Sequence, residues 1–339
     1  MKKPIRVLIV DDSLLIRQLF TKFLTNDPDI EVAGTACDPL EAREKIKKLN
    51  PDVLTLDIEM PKMDGLSFLE KIMKLRPMPV VMASSLTKRG ADITLQALEM
   101  GAVDYVSKPQ ERDQLEKIGK ELVMKVKAAA RSRVQPNLAK TTTNLTYRGD
   151  AHKWLIAIGA STGGVEALRD VLSTMPADGP PIVITQHMPA LFTSAFAKRL
   201  NGLCALEVLE ATDGLPITSG HAYIAPGSTH LRVVRKGGRL TCEVKGNDLV
   251  SGHCPSVDVL FHSVAEACGK QAVGAILTGM GADGAQGLLA MRNAGAHTVG
   301  QSEASCVVYG MPKSAKAAGA CSTEISLEHI SSHLLTACK

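Results

Sequence analysis

From Ile5 to about Ala130 the chain alternates short apolar runs with segments of helical length, and this alternation limits its possible fold more than any other feature. The runs at 5–10, 31–36, 52–56, 79–84 and 103–107 read as strands, and helices are expected to begin near Ser13, Pro39, Gly65, Lys88 and Arg112. Strand-then-helix repetition predicts an α/β domain of the (βα)5 type. Its parallel sheet would be covered by helices on both faces, with functional groups at the carboxyl ends of the strands. The pattern then breaks. Residues 131–152 include Gln135-Pro136-Asn137 and Thr141-Thr142-Thr143-Asn144 with little apolar periodicity, and read as an exposed linker between domains 1–130 and 153–339.

Beyond the linker, strand-like runs return at 154–158, 182–185, 205–209, 222–225 and 272–277. Two further runs, 231–234 and 240–244, flank Gly237-Gly238 and signal a hairpin. The second half is therefore expected to be a doubly wound α/β domain with a mostly parallel sheet and an inserted β-hairpin. A chain of 339 residues can hold two such cores. Net charge is only +4, with six Phe, four Tyr and one Trp, so no basic face interleaved with aromatics points to nucleic acid as a partner. Met1-Lys2-Lys3-Pro4 leads into a short strand with no apolar run long enough to span a bilayer, and no membrane insertion and a cytoplasmic location are expected. The eight cysteines contain no C-x-x-C pair and read as reduced thiols.

Asp11 and Asp12 end the first expected strand, Asp57 ends the third, and Lys108 follows the fifth. In a parallel sheet these ends lie side by side, so three carboxylates and one ammonium meet in a shallow pocket. Crowded carboxylates repel unless a cation is present, and hard oxygen ligands favour Mg2+. Helix capping by Asp12 or Ser13, with Lys108 solvated, would explain any one of them alone. With Met60-Pro61-Lys62-Met63-Asp64-Gly65 after Asp57, Ser84 at a strand end and Lys108-Pro109, residues 4–127 resemble a response-regulator receiver domain. The resemblance implies that Asp57 accepts a phosphoryl group from a histidine kinase and that Asp11 and Asp12 place Mg2+. Lys108 would contact the phosphoryl oxygens, and Ser84 with Tyr105 would form the switch pair. Glu59 would offer its backbone carbonyl to the metal, while its carboxylate adds negative charge at the pocket mouth.

In the second half, Gly159-Ala160-Ser161-Thr162-Gly163-Gly164 joins an apolar run to a helix-like stretch. Such a turn fits a G-x-S-x-G nucleophile elbow and equally a glycine-rich phosphate cradle. A hydrolytic serine needs a base and an orienting acid. His187 follows the strand one unit later, and Asp283 lies in Gly279-Met280-Gly281-Ala282-Asp283-Gly284 after another. The last segment also satisfies G-x-G-x-x-G, but a ribose-binding acid about 20 positions on is poorly placed, and Asp283 would put a carboxylate where a pyrophosphate should sit. His253 and Cys254 with His262 lack a fourth ligand at suitable spacing for a metal. His221 and His230 are expected at strand or hairpin ends.

On the Ser161 loop, His187-Met188-Pro189 and the Gly279–Gly284 segment, residues 153–338 resemble the catalytic domain of the CheB family of chemotaxis methylesterases. The resemblance implies a protein-glutamate methylesterase acting on methylated chemoreceptors, with glutamine deamidation as a second activity. It makes Ser161 the nucleophile, His187 the base and then acid, and Asp283 the residue that orients the imidazole. Backbone amides of Thr162 and Met280 would form the oxyanion hole, and no cofactor serves the ester reaction. It further implies that the unphosphorylated receiver covers the active-site edge and that phosphorylation of Asp57 relieves this. Two readings compete: a non-catalytic receiver-regulated adaptor, and a nucleotide-dependent oxidoreductase.

Overall fold

The computed structural model describes residues 3–60, 63–85, 87–109, 111–132 and 145–339, so Pro61, Lys62 and most of the expected linker lie outside the described residues. The chain divides into two compact units, Met1–Ala139 and Lys140–Lys339. Among the described residues no helix is long and apolar enough to cross a membrane.

The first unit runs β1 (Ile5–Val10), α1 (Leu14–Thr25), β2 (Ile30–Ala36), α2 (Pro39–Leu49), β3 (Val53–Asp57), α3 (Gly65–Leu75), β4 (Val80–Ser84), α4 (Lys88–Glu99), β5 (Asp104–Ser107) and α5 (Leu115–Arg131). Its strands pair in parallel in the order β2-β1-β3-β4-β5. The order reverses between β1 and β3, which opens a crevice at their carboxyl ends. Both β3 and β4 are buried along their whole length, as helix cover on both faces requires. Helix starts follow capping chemistry. Ser13 accepts from the Ile16 amide, Asp38 from Leu40 and Glu41, Asp64 from Ser67, and Thr87 from Gly90.

The second unit runs β6 (Leu155–Ala160), α6 (Gly164–Leu172), β7 (Ile182–Gln186), α7 (Ala190–Asn201), β8 (Glu207–Glu210), β9 (His221–Ile224), β10 (Leu231–Lys236), β11 (Arg239–Val244), α8 (Val257–Cys268), β12 (Ala272–Ile276), α9 (Ala285–Asn293), β13 (His297–Gln301), α10 (Met311–Ala317), β14 (Thr323–Ile325) and α11 (Leu327–Ala337). Seven strands pair in parallel in the order β14-β13-β12-β6-β7-β9-β8. The inserted hairpin forms a separate sheet of β10 and β11. It turns on Gly237 and Gly238 at φ 57° and 81°, the positive values a tight two-residue turn demands, and packs against α8.

Two strands escape the sequence reading. Val299 is the one aliphatic residue of β13, which leaves no apolar run, and β14 is three half-buried residues at a sheet edge, too short to carry a period. The end of the expected linker also has structure, since the Leu145 amide donates to the Thr174 carbonyl at 3.0 Å and the Tyr147 hydroxyl to the Cys338 carbonyl.

Candidate active site

Three central strands of the second unit, β12, β6 and β7, bring the expected catalytic loops together. Register pairs Ala160 with Gln186 and Gly159 with Ile276, so the residues that follow emerge side by side. The His187 amide donates to the Ala160 carbonyl at 3.2 Å, and the Ser161 amide to the Thr278 carbonyl at 3.0 Å. Gly279 sits so close to the nucleophile loop that a side-chain β-carbon there would lie 2.8 Å from the Ser161 Cβ. A glycine at this point is a packing requirement rather than a nucleotide signature.

His187 Nε2 lies 2.7 Å from Asp283 Oδ2. Asp283 is 1% exposed and also accepts from Ser256 Oγ at 2.8 Å, the Val257 amide at 2.7 Å and the Asp258 amide at 3.1 Å. Those donors form the first turn of α8, where unpaired amides and the helix dipole favour an anion. Burial pushes the Asp283 carboxyl up, but the His187 hydrogen bond and charge and the α8 donors outweigh it and hold the pKa lowered to about 2. An ionised carboxylate only accepts, so Nε2 is the donor in this bond, and in the neutral imidazole Nδ1 is then the basic nitrogen. His187 Nδ1 is buried and has no hydrogen-bond partner among the described residues.

The Ser161 hydroxyl is half-buried and makes no hydrogen bond among the described residues, so the serine–histidine bond is not closed in this structure. Catalytic hydrogen bonds commonly tighten only when substrate is present. The Met280 amide likewise has no partner among the described residues, while Thr162 is 5% exposed and its carbonyl accepts from Thr278 Oγ1 at 3.0 Å.

Sequence reasoning missed three residues that build this edge. Gln186, 3% exposed, donates from Nε2 to the Ser161 carbonyl at 3.0 Å and the His187 carbonyl at 3.3 Å, tying the two loops together. Gln301 Oε1 accepts from the Thr278 amide at 2.7 Å, and Ser256 both caps α8 and holds Asp283. A glutamine at the carboxyl end of a largely apolar strand is the one signal that was available for Gln186, and Gln301 had none because its strand was not read. Gln186→Met keeps the volume but strips two carbonyls of a donor, so chemical denaturation should show a loss of about 1–3 kcal/mol.

The acidic pocket of the first unit forms as expected. Lys108 Nζ lies 2.8 Å from both Asp11 Oδ2 and Asp57 Oδ1. Asp11, Asp12 and Asp57 each offer an oxygen, all within 4.8 Å of one another. Burial pushes Asp57 up to about 6, helped by the Asp11 charge and opposed by Lys108. Burial also raises Asp11. Desolvation works against the Lys108 ammonium, yet Asp57 and Asp11 outweigh it and hold its pKa above the usual value. Ser13 does cap α1, but it also donates its amide to Asp11 Oδ1 at 2.9 Å, so capping and pocket geometry coexist. Glu59 is exposed, and its amide donates to Asp57 Oδ1 at 3.3 Å.

Comparison with known proteins decides the family. Residues 156–334 match the CheB methylesterase family and residues 7–120 the response regulator receiver domain. A protein-glutamate methylesterase/protein-glutamine glutaminase of Bordetella bronchiseptica is 55% identical over 340 residues, covering 98% of this chain and 97% of the relative. The chain belongs to the CheB methylesterase family. A Xanthomonas campestris protein-glutamate methylesterase/protein-glutamine glutaminase is likewise 55% identical, over 99% of this chain and 98% of the relative. The CheB methylesterase catalytic domain of Thermotoga maritima superposes with a TM-score of 0.53 at 34% identity, covering 54% of this chain and 97% of that one.

Within this CheB-family chain the receiver segment contains the acidic pocket, and the methylesterase segment contains Ser161, His187 and Asp283. Ser84 ends β4 one residue beyond the register partner of Asp57. It is fully buried, and its hydroxyl accepts from Thr94 Oγ1 at 2.7 Å. Tyr105 is 5% exposed, with Lys125 Nζ 4.6 Å from its ring centroid. Each expected switch residue is thus held by a neighbouring helix, α4 for Ser84 and α5 for Tyr105.

Proposed function

We propose that this CheB-family enzyme hydrolyses γ-glutamyl methyl esters on chemoreceptors with Ser161 as nucleophile, His187 as base and then acid, and Asp283 as the orienting carboxylate. The supporting observation is the buried hydrogen bond from His187 Nε2 to Asp283 beside the Ser161 loop, with Nδ1 unpartnered among the described residues and available as the base in the neutral ring. Nδ1 takes the Ser161 proton as Oγ attacks the ester carbonyl. The amides of Thr162 and Met280 receive the developing oxyanion. The imidazolium, stabilised by ionised Asp283, then gives its proton to the departing methoxy oxygen, and methanol leaves. Water, deprotonated by the same nitrogen, cleaves the acyl-enzyme and frees a glutamate. A receptor glutamine follows the same route with ammonia as the leaving group.

Control lies with the receiver, where Asp57 accepts a phosphoryl group from a histidine kinase. Asp57 Oδ2 is buried and has no hydrogen-bond partner among the described residues. With the nearby Asp11 and Asp12 oxygens it makes a hard oxygen set that fits Mg2+, to which the Glu59 carbonyl would add a further ligand. Bound there, the ion would offset the charge of the incoming phosphoryl group. Lys108 would hold the phosphoryl oxygens, and Ser84 and Tyr105 would relay the change. The partners are that kinase and methylated receptors, met in the cytoplasm.

A fluorophosphonate, which reacts with an activated serine hydroxyl, should label Ser161 alone, as read by peptide mass. Labelling should fall sharply in His187→Ala. A label elsewhere, or one indifferent to His187, would count against the assignment.

A further inference from the structure

The imidazole of His253 lies flat on that of His187, with centroids 3.7 Å apart and planes within 8°. The sequence alone assigns His253 no task. The loop that carries it is built to hold the ring still. The amides of Val250 and His253 each donate to the other's carbonyl, at 3.1 and 2.9 Å, across Ser251 and Gly252 at φ 53° and 81°. That is the closed two-residue turn of a tight hairpin. Ser251 Oγ donates to Asp258 Oδ2 at 2.9 Å. Behind the loop, His230, 2% exposed, bonds the Asp248 carbonyl through Nε2 at 2.8 Å and accepts from the Ser256 amide at Nδ1 at 3.2 Å. The segment is therefore pinned at both ends and in the middle.

Among the described residues His187 has one side-chain hydrogen bond, to Asp283, and a single bond at one ring atom does not by itself fix the ring plane. Proton transfer depends on that plane, because the Nδ1 lone pair lies in it and must point at Ser161 Oγ. A rigid aromatic face stacked on the ring opposes a swing of that plane, since tilting it would drive a ring edge into His253. On the Ser–His–Asp reading above, we infer that His253 is a positioning residue, whose ring fixes the plane of the His187 imidazole. The role requires a flat ring and neither charge nor hydrogen bonding.

Kinetics of His253→Ala, His253→Phe and His253→Leu in the full-length, phosphodonor-activated enzyme, with methylated receptor membranes as substrate, test this. His253→Ala should lose about 10- to 100-fold in kcat with KM within about twofold, the penalty expected for a misaligned base. Phenylalanine restores the flat face and should recover most of kcat. Leucine fills the volume without a face and should not, which keeps the comparison decisive even if the alanine variant folds poorly. An unchanged kcat in His253→Ala or His253→Leu, or a phenylalanine variant as slow as leucine, would overturn the inference. Fluorophosphonate labelling separates the two ideas. If wild type fails to label at Ser161 the triad assignment is wrong, whereas equal labelling rates in wild type and His253→Leu would sink the positioning role alone.

Discussion

Ser161→Ala should cut methanol release from methylated receptor membranes by about 10^5- to 10^6-fold while the protein stays folded, with its receiver still phosphorylated. The size follows from the chemistry, since without the hydroxyl no acyl-enzyme can form. Only substrate binding and the amides of Thr162 and Met280 remain to favour attack by water. The fold should survive because the hydroxyl makes no hydrogen bond among the described residues, so its removal strands no buried partner. KM should change little. Methanol release that persists in the variant would remove the serine from the reaction.

The second large effect belongs to Asp57. In Asp57→Asn, addition of Mg2+ and a small acyl-phosphate donor should leave methanol release flat at its basal rate, where wild type rises. Asparagine cannot form the acyl phosphate, and it also removes the carboxylate that Lys108 holds at 2.8 Å. Phosphodonor stimulation that survives the substitution would move the control elsewhere. If control works by occlusion, a fragment beginning at residue 145 should exceed the unphosphorylated full-length enzyme. That start keeps Leu145 and Tyr147, which hydrogen-bond to the body of the second unit.

Much of this was legible in the chain because strand ends are places where sequence position implies spatial position. In a parallel sheet, Asp57 at the end of β3 and Lys108 just after β5 must face one crevice, and the structure brings them into contact. That the loops of Ser161, His187 and Asp283 share one sheet edge was legible for the same reason. What stayed hidden depends on groups that meet across long separations. Asp283 rests on the first turn of α8, 25 to 27 residues away, and no periodicity announces that a helix start will cradle a carboxylate. His253 was visible as a residue but not as a ring on His187, because its loop lies outside the strand pattern. The short strands β13 and β14 were lost where the lone aliphatic Val299 and a three-residue edge leave no repeat to read.

If Ser161 and His187 act as one unit, a double-mutant comparison will show it. Methanol release should be measured for Ser161→Ala, for His187→Ala and for the two combined, each above the uncatalysed background. The double variant should be no slower than Ser161→Ala within about threefold, because a base with no nucleophile to activate contributes nothing further. Losses that multiply would mean the two residues act independently and would contradict their acting as one unit.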